Sequence, residues 1–188
     1  MTWRRQLAYG LGLLVLVPAV IAAAVLPWRE KYEVRSGKGG REVVASQGRA
    51  ATLDGVEWRL KSITEGRLQE EFSRPLPPRT KIAVVVVSAT PRDARASAWF
   101  ARETGSCKIY AADGAGRVWE RSFRTDLAPD SPHAVSCQVL DEDYTLAPVP
   151  VGKEHTIQAE YVVPADAFSD LRVEVRLSPD RATVRLAP

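Results

Sequence analysis

The sequence has few of the residues on which metal, redox and nucleophilic sites are built. Its 188 residues include two cysteines and two histidines, with neither a C-x-x-C pair nor a G-x-S-x-G motif. Two thiols and two imidazoles at no recognised spacing do not form a metal-ligand array. They do not indicate a Ser-His-Asp set either. We therefore expect no metal, no cofactor and no catalytic residues.

The sequence also lacks an excess of positive charge outside its first 31 residues. The chain has 26 basic and 23 acidic residues, a formal net charge of +3. Residues 1–31 hold four of the basic residues and one of the acidic ones, which leaves 22 of each sign in the remainder. Because a nucleic-acid partner requires a basic stripe on the folded part, we expect no nucleic acid to bind.

Charge is absent altogether from one long apolar run near the N-terminus, residues 6–28, QLAYGLGLLVLVPAVIAAAVLPW. A helix rises 1.5 Å per residue, so this run would extend about 35 Å, enough to cross a hydrocarbon core of about 30 Å. Trp3 and Trp28 flank it where indole rings favour the membrane interface, and Pro18 is tolerated in a membrane helix. We predict one transmembrane helix over 6–28, with the lipid bilayer as its partner.

A cleaved signal peptide is the alternative interpretation of this run. The AAA at 22–24 has the small residues of a cleavage site. The apolar stretch, however, is longer than a usual signal-peptide core and continues to Trp28, which favours a retained anchor. The first cysteine in the chain is Cys107, which excludes a lipoprotein anchor at this position.

The anchor divides the chain into four predicted parts. Residues 1–5 form a cytoplasmic tip because they contain Arg4 and Arg5. Residues 6–28 span the cell membrane, residues 29–48 form a charged, glycine-rich juxtamembrane stalk, and residues 49–188 form an extracytoplasmic domain. Basic residues in the stalk oppose this orientation, but large domains translocate largely regardless of charge.

Beyond the stalk the dominant sequence period is two, which is the strand signal. Asp54-Gly55 predicts a type I′ hairpin turn, and the apolar residues 81–89 predict a central strand covered on both faces. Residues 65–80 and 123–150 are rich in proline and charge and are predicted to be surface loops. The alternating apolar positions are Val56/Trp58/Leu60, Cys107/Ile109/Ala111, Ile157/Ala159/Tyr161/Val163, Leu171/Val173/Val175/Leu177 and Ala182/Val184/Leu186.

These short strands predict the fold class. Seven to nine strands separated by turn signals are typical of an all-β, immunoglobulin-like β-sandwich, here preceded by the transmembrane helix. A closed barrel is the alternative. The best helical candidate after the anchor is one turn at 165–169, opened by Pro164.

Three segments carry a family resemblance. The C-terminal PVGKEHTIQAEYVVPADAFSDLRVEV resembles the closing strands of telokin-like, immunoglobulin-like domains of exported bacterial proteins. KIAVVVVSATP and CKIYAADGAGRVW are similar to their central strand and the strand–turn pair that follows. The basic N-terminus, apolar span, Pro-Trp and charged stalk are similar to membrane proteins of high-G+C Gram-positive bacteria. The resemblance implies a fold and an exported location, and no activity.

Few side chains remain as candidate site residues. An even cysteine count outside the cytoplasm predicts a disulfide between Cys107 and Cys137; two buried thiols are the alternative. Trp99 and Phe100 lie among small residues and are either an exposed anchor for a partner or part of the core. The DED tripeptide at 141–143 is interpreted as a solvated loop, since Ca²⁺ needs about six to eight oxygen ligands.

The histidines are interpreted as structural residues. His155 lies on the alternating face of a strand and is expected to pack there, while His133 follows a proline in a loop and is expected to be solvated.

From the anchor, the stalk and the sandwich we expect a membrane-tethered module that binds an unknown envelope protein or polymer. The alternative is a secreted or anchored enzyme with an unrecognised site, which a pocket of convergent polar groups with perturbed titration would favour.

Overall fold

The structure, a computed structural model, describes residues 40–45, 48–68, 74–102, 106–124, 133–178 and 182–188. All of them belong to the unit Gly40–Pro188. The predicted tip, the transmembrane helix and residues 29–39 of the stalk lie outside these ranges. Within the ranges, no helix has both the length and the apolar character needed to cross a membrane.

The regular secondary structure of the described chain consists mostly of strands. In chain order the strands and the two short helical elements are β1 (Arg41–Val44), β2 (Ala51–Leu53), β3 (Val56–Glu65), β4 (Thr80–Pro91), α1 (Ala94–Trp99), β5 (Ser106–Ala112), β6 (Val118–Trp119), β7 (Val139–Leu140), β8 (Leu146–Ala147), β9 (His155–Pro164), the 3-10 turn η1 (Phe168–Asp170), β10 (Arg172–Ser178) and β11 (Ala182–Leu186).

The strands form two main sheets. A five-stranded sheet has the order β1-β11-β10-β5-β6, and a four-stranded sheet has the order β2-β3-β4-β9. The β1–β11 pair is parallel and the other pairs in both sheets are antiparallel. β7 and β8 form a separate small hairpin. Two separate sheets make a sandwich and not a closed barrel.

The core lies between the two sheets, where their apolar faces meet. Trp58 and Val85 from the four-stranded sheet and Val175 and Val184 from the five-stranded sheet belong to one buried cluster. In β3, β10 and β11 the core residues alternate with polar ones because successive side chains of a strand point to opposite faces. The predicted alternation of β3, β9, β10 and β11 is confirmed, and with it the all-β sandwich.

Strand β4 is central and covered on both faces, as its continuous apolar sequence predicted. It pairs with β3 on one side and β9 on the other. Val85 faces the core, while Ile82 is buried on the opposite face. Gly66, in the stretch that precedes β4, continues the β3–β4 pairing: its N–H donates to the Ile82 carbonyl at 3.0 Å, and a Cβ there would come within 2.6 Å of the Ile82 Cγ2 atom. The other described residues of 65–80 are mostly exposed, so this stretch is a surface loop, as predicted.

The β2–β3 hairpin is also as predicted. Leu53 pairs with Val56 across the turn, and Asp54 and Gly55 have φ angles of 51° and 77°. Positive φ at both central residues defines the type I′ turn.

Two predictions about local structure were wrong. The predicted stalk, 29–48, extends too far, because Arg41–Val44 form β1 beside β11. Those four residues are mostly exposed and show no alternation that a sequence pattern could detect. The helix α1 was also missed, because six residues are too few to establish a helical period. It begins where the Asp93 side chain accepts a hydrogen bond from the Ala96 N–H, at 2.8 Å.

Candidate functional site

Strand β6 is short, and the chain after it leaves one sheet for the other. Trp119 of β6 pairs with Ala111 of β5 in the five-stranded sheet. Three residues later, the Ser122 N–H donates to the Glu160 carbonyl of β9 in the four-stranded sheet, at 2.8 Å. Residues 120–122 therefore cross from one sheet edge to the other and close one end of the gap between them.

A second segment, residues 134–137, closes the other end of the gap. The Ala134 N–H donates to the Thr156 carbonyl at 3.1 Å, and the Ala134 carbonyl accepts from the Gln158 N–H at 2.8 Å. This segment is thus hydrogen-bonded to β9. It is also covalently bound to β5 through the Cys107–Cys137 disulfide, whose Cα atoms lie 5.7 Å apart. The predicted disulfide is present and connects the edges of the two sheets.

Between these two crossings lies a cavity of about 180 Å³, which we call the side cleft. Its inner wall consists of core-facing residues of β5 and β9, and its lining is predominantly apolar. Phe123 and Val135 stand at the cleft and are 90% and 62% exposed. The lining residues are Cys107, Lys108, Ile109, Tyr110, Glu120, Arg121, Phe123, Val135, Ser136, Cys137, Ile157 and Ala159.

The side cleft exists because β5 lacks a full-length neighbour on this edge. β6 pairs only with Ala111 and Ala112, so among the described strands none pairs with the first half of β5 on that side. The Tyr161 hydroxyl instead donates to the Ile109 carbonyl at 2.7 Å. Burial raises the pKa of Tyr161 far above its ordinary value. The hydroxyl therefore stays protonated and remains a donor.

A buried ion pair holds the outer wall of the cleft. Glu160 is 4% exposed. Its carboxylate accepts from the Gln158 amide at 2.8 Å and from the Arg121 Nη2 at 3.3 Å. The Arg121 Nη1 donates to the Val135 carbonyl at 2.9 Å. A buried carboxylate without a partner costs free energy, so Glu160 holds the Arg121 guanidinium in place. Through its hydrogen bond to the Val135 carbonyl, Arg121 in turn holds the segment that carries Val135.

The two aromatic residues considered as a partner contact lie in the core, which corrects that interpretation. Trp99 is 8% exposed and Phe100 is fully buried. The Trp99 ring packs edge-on against Trp58, with centroids 6.5 Å apart, and against Phe100 at 5.1 Å. α1 ends at Trp99, and both side chains belong to the buried core cluster. Neither is therefore available as an exposed anchor.

The polar candidates have structural contacts. His155 is half-buried, with Nε2 2.9 Å from the Ser136 carbonyl oxygen. Asp141 accepts from the N–H groups of Asp143 and Thr145 at 3.0 and 2.8 Å. Hydrogen bonds from the hydroxyl and N–H of Thr145 lower the pKa of Asp141. In the described part of the chain, no group of three or more His, Cys, Asp and Glu side chains could hold a metal ion.

Sequence reasoning missed the side cleft because its outer wall comes from the 123–150 stretch, predicted only to be a loop. The one available signal was Phe123, an aromatic residue in a charged and proline-rich stretch. Neither Arg121 nor Glu160 could be paired from the sequence, since they are 39 residues apart.

Comparison with known proteins finds low structural similarity at low sequence identity. No family model matches the chain, and no curated protein matches it. An uncharacterized β-sandwich protein from Clostridium difficile 630 has 10% identity and a TM-score of 0.37, over 80% of this chain and 96% of that one. A conserved hypothetical protein from Bacillus anthracis has 6% identity and a TM-score of 0.39, over 70% and 88%. The yjhA protein from Bacillus subtilis has 8% identity and a TM-score of 0.43, over 78% and 98%.

Proposed function

We propose that this chain is a single-pass membrane protein whose extracytoplasmic, immunoglobulin-like domain binds another envelope protein through the side cleft. The observation that carries this proposal is an apolar cavity of about 180 Å³ that opens beside two exposed apolar side chains, Phe123 and Val135. Exposed apolar side chains grouped beside an apolar opening are a feature of protein interaction sites.

The membrane tether is supported by the uncharged run at 6–28 and by the disulfide. Disulfides persist in oxidising compartments outside the cytoplasm, which is where this topology places the domain. Protein purified from membranes is expected to keep the full mass of the chain apart from the initiator methionine. A mature N-terminus at Val25 would contradict the anchor and make the protein secreted.

The immunoglobulin-like assignment is supported by strand order. The run β11-β10-β5-β6 corresponds to the G-F-C-C′ order of immunoglobulin variable-type domains, and β3-β4-β9 corresponds to A-B-E. Such domains commonly bind partners through loops and sheet edges, and the side cleft lies at a sheet edge.

The chemistry of the cleft favours an apolar side chain of a protein as the occupant. A cavity of about 150 Å³ lined by apolar side chains can hold a benzene molecule, so the side cleft can accept one aromatic or branched aliphatic side chain. Buried apolar anchors of this kind dominate protein interfaces. The charged residues at the lining are Lys108, Glu120 and Arg121. Since Arg121 is paired with Glu160, the cleft provides no excess charge for a polyanionic polymer.

A photo-crosslinking experiment tests the proposal in native membranes. A benzophenone side chain placed at position 123 of the full chain is expected to capture one discrete partner protein. Val135→Lys is expected to abolish the capture, because it places a charge at the cleft without disturbing the core. The matched control is the same probe at position 144, since Tyr144 is 84% exposed and lies outside the cleft.

Two outcomes would contradict a partner at the cleft. One is the absence of any crosslinked protein from position 123. The other is the same set of products from positions 123 and 144, which would indicate random collision. Neither outcome would bear on the tether, because the mass measurement tests that part separately.

A further inference from the structure

A second cavity, of about 150 Å³, lies between the β2–β3 turn, α1 and the end of β10. Its floor is apolar and buried, with Leu53, Val56 and the edge of Trp99. Its rim carries three arginines, and we call it the arginine cup. The three arginines are Arg41, Arg95 and Arg102.

The arginine cup has an excess of positive charge. Arg41 is bound to Asp54, the cup's one lining acid, through two hydrogen bonds of 2.6 Å each. In the described part of the chain, no carboxylate pairs with the guanidinium of Arg95 or of Arg102. One arginine is therefore neutralised within the cavity, and two remain at its rim. This local excess of arginine contrasts with the formal neutrality of the chain after residue 31.

The backbone that carries these two arginines is held in place. The Asp93 side chain caps α1, which carries Arg95. The Ser97 hydroxyl of the same helix donates to the Val149 carbonyl at 2.6 Å. The Arg102 carbonyl accepts from the Gln138 amide at 3.2 Å. A rim held in this way loses little backbone freedom when an anion binds, which lowers the cost of binding.

We propose that the arginine cup binds a phosphate group. A guanidinium is planar and always charged, and its N–H donors match the oxygens of phosphate in a bidentate arrangement. Two such groups on one rim complement the charge of about −1.5 to −2 on a phosphate monoester near neutral pH. The apolar floor beside Trp99 accommodates carbon atoms attached to the phosphate.

The test uses the full chain in nanodiscs of neutral phosphatidylcholine, with inorganic phosphate as the probe. Thermal unfolding is followed by the circular dichroism of the strands, with chloride added to keep the ionic strength constant. Because a ligand that binds only the folded state raises the free energy of unfolding, the midpoint is expected to rise with the logarithm of the phosphate concentration, by about 3–6 °C at ten times Kd. Arg95→Gln/Arg102→Gln is expected to abolish the rise.

The matched control is Arg59→Gln/Arg172→Gln, which removes two exposed arginines that do not line the cup. It is expected to keep the rise. No rise in the unsubstituted chain, or an equal rise in the cup variant, would overturn the proposal.

A second arm identifies the source of the phosphate. In nanodiscs that contain phosphatidylglycerol, without added phosphate, a rise that requires Arg95 and Arg102 would identify lipid headgroups as the ligand. A rise with added phosphate alone would identify a soluble or polymer-borne phosphate. Either result supports a phosphate site.

Discussion

Val85 lies at the middle of β4 and faces the core, where it is 1% exposed. Val85→Asp would place a charge between the two sheets with no water or partner to solvate it. A buried unpaired charge is among the few changes that cost more than about 4 kcal/mol, so the domain is expected to unfold. Loss of the strand signal in circular dichroism is the measurement.

A change of the same chemistry on the surface controls for this experiment. Thr64 of β3 is exposed, so Thr64→Asp is expected to change stability by less than about 0.5 kcal/mol. A folded Val85→Asp variant with an unchanged urea midpoint would show that position 85 is not in the core.

Asp113, in the turn after β5, predicts a pH dependence. Burial raises the pKa of Asp113, but hydrogen bonds from the Arg117 side chain and N–H, at 2.6 and 2.8 Å, outweigh it and hold the pKa below its ordinary value. The pKa in the unfolded chain is about 3.9. The ionised carboxylate therefore stabilises the fold above that pH, and this stability is lost as the pH falls through the folded pKa.

Asp113→Asn is expected to lower stability at neutral pH and to flatten the loss of stability below about pH 4. Urea midpoints measured from pH 3 to pH 7 test both effects. Asp143→Asn, which changes an exposed carboxylate, is the control. An acid limb as steep in Asp113→Asn as in the unsubstituted protein would contradict the prediction.

At the scale of elements, two glycines in turns form a matched pair. Gly55 and Gly116 have similar positive φ angles, 77° and 82°. A Cβ at Gly116 would meet nothing within 4 Å, whereas one at Gly55 would lie 2.3 Å from the Asp93 Oδ2 atom and 3.2 Å from the Ala96 Cβ. The β2–β3 turn therefore packs directly on the start of α1.

Gly116→Ala is expected to cost about 1 kcal/mol through backbone strain alone. Gly55→Ala is expected to cost clearly more, because Asp93 cannot move aside without releasing the cap of α1. Urea unfolding of both variants is the measurement. Equal costs would show that the turn and the helix do not pack together.

The disulfide is the covalent link between the outer wall of the side cleft and β5. It closes a loop with a sequence separation of 30 residues, for which the chain-entropy model gives a stabilisation of about 3–4 kcal/mol. Cys107→Ala/Cys137→Ala is therefore expected to lower the free energy of unfolding by about that amount. Two reactive thiols per chain in the unfolded, unreduced protein would contradict the bond.

At the scale of the whole molecule, the described strands predict an independent domain. The core draws on strands of both sheets and lies after residue 40, and a domain of about 150 residues buries enough surface to be stable unaided. A fragment of residues 40–188 is expected to fold as a monomer with an all-β spectrum. An insoluble fragment would indicate that the strands require another subunit.

Strand β1 adds a second expectation for the same experiment. A fragment of residues 49–188 lacks β1 and exposes the edge of β11, which β1 covers from Ala182 to Arg185. It is expected to unfold at lower urea than the longer fragment and to associate more readily, because an uncovered strand edge can pair with another chain. Equal stability and solubility of the two fragments would show that β1 behaves as part of the stalk and does not stabilise the domain.

The sequence by itself determined the properties that depend on neighbouring residues. The period of two in β9, β10 and β11, the turn at Asp54-Gly55 and the double-faced apolar run of β4 follow from local backbone geometry and side-chain alternation. With only two cysteines, the pairing of Cys107 with Cys137 had a single intramolecular solution. These features were predicted correctly, because each is encoded within a few residues.

Only the tertiary structure decided which distant segments meet. The pairing of β1 with β11, the burial of Trp99 and Phe100, and the contact of Arg121 with Glu160 each join residues that no local pattern relates. The side cleft exists because residues 120–122 cross between sheets and residues 134–137 are bound to both. Its shape depends on the packing of loops against strands, where many arrangements satisfy the same local preferences and the free energy of the whole fold selects one.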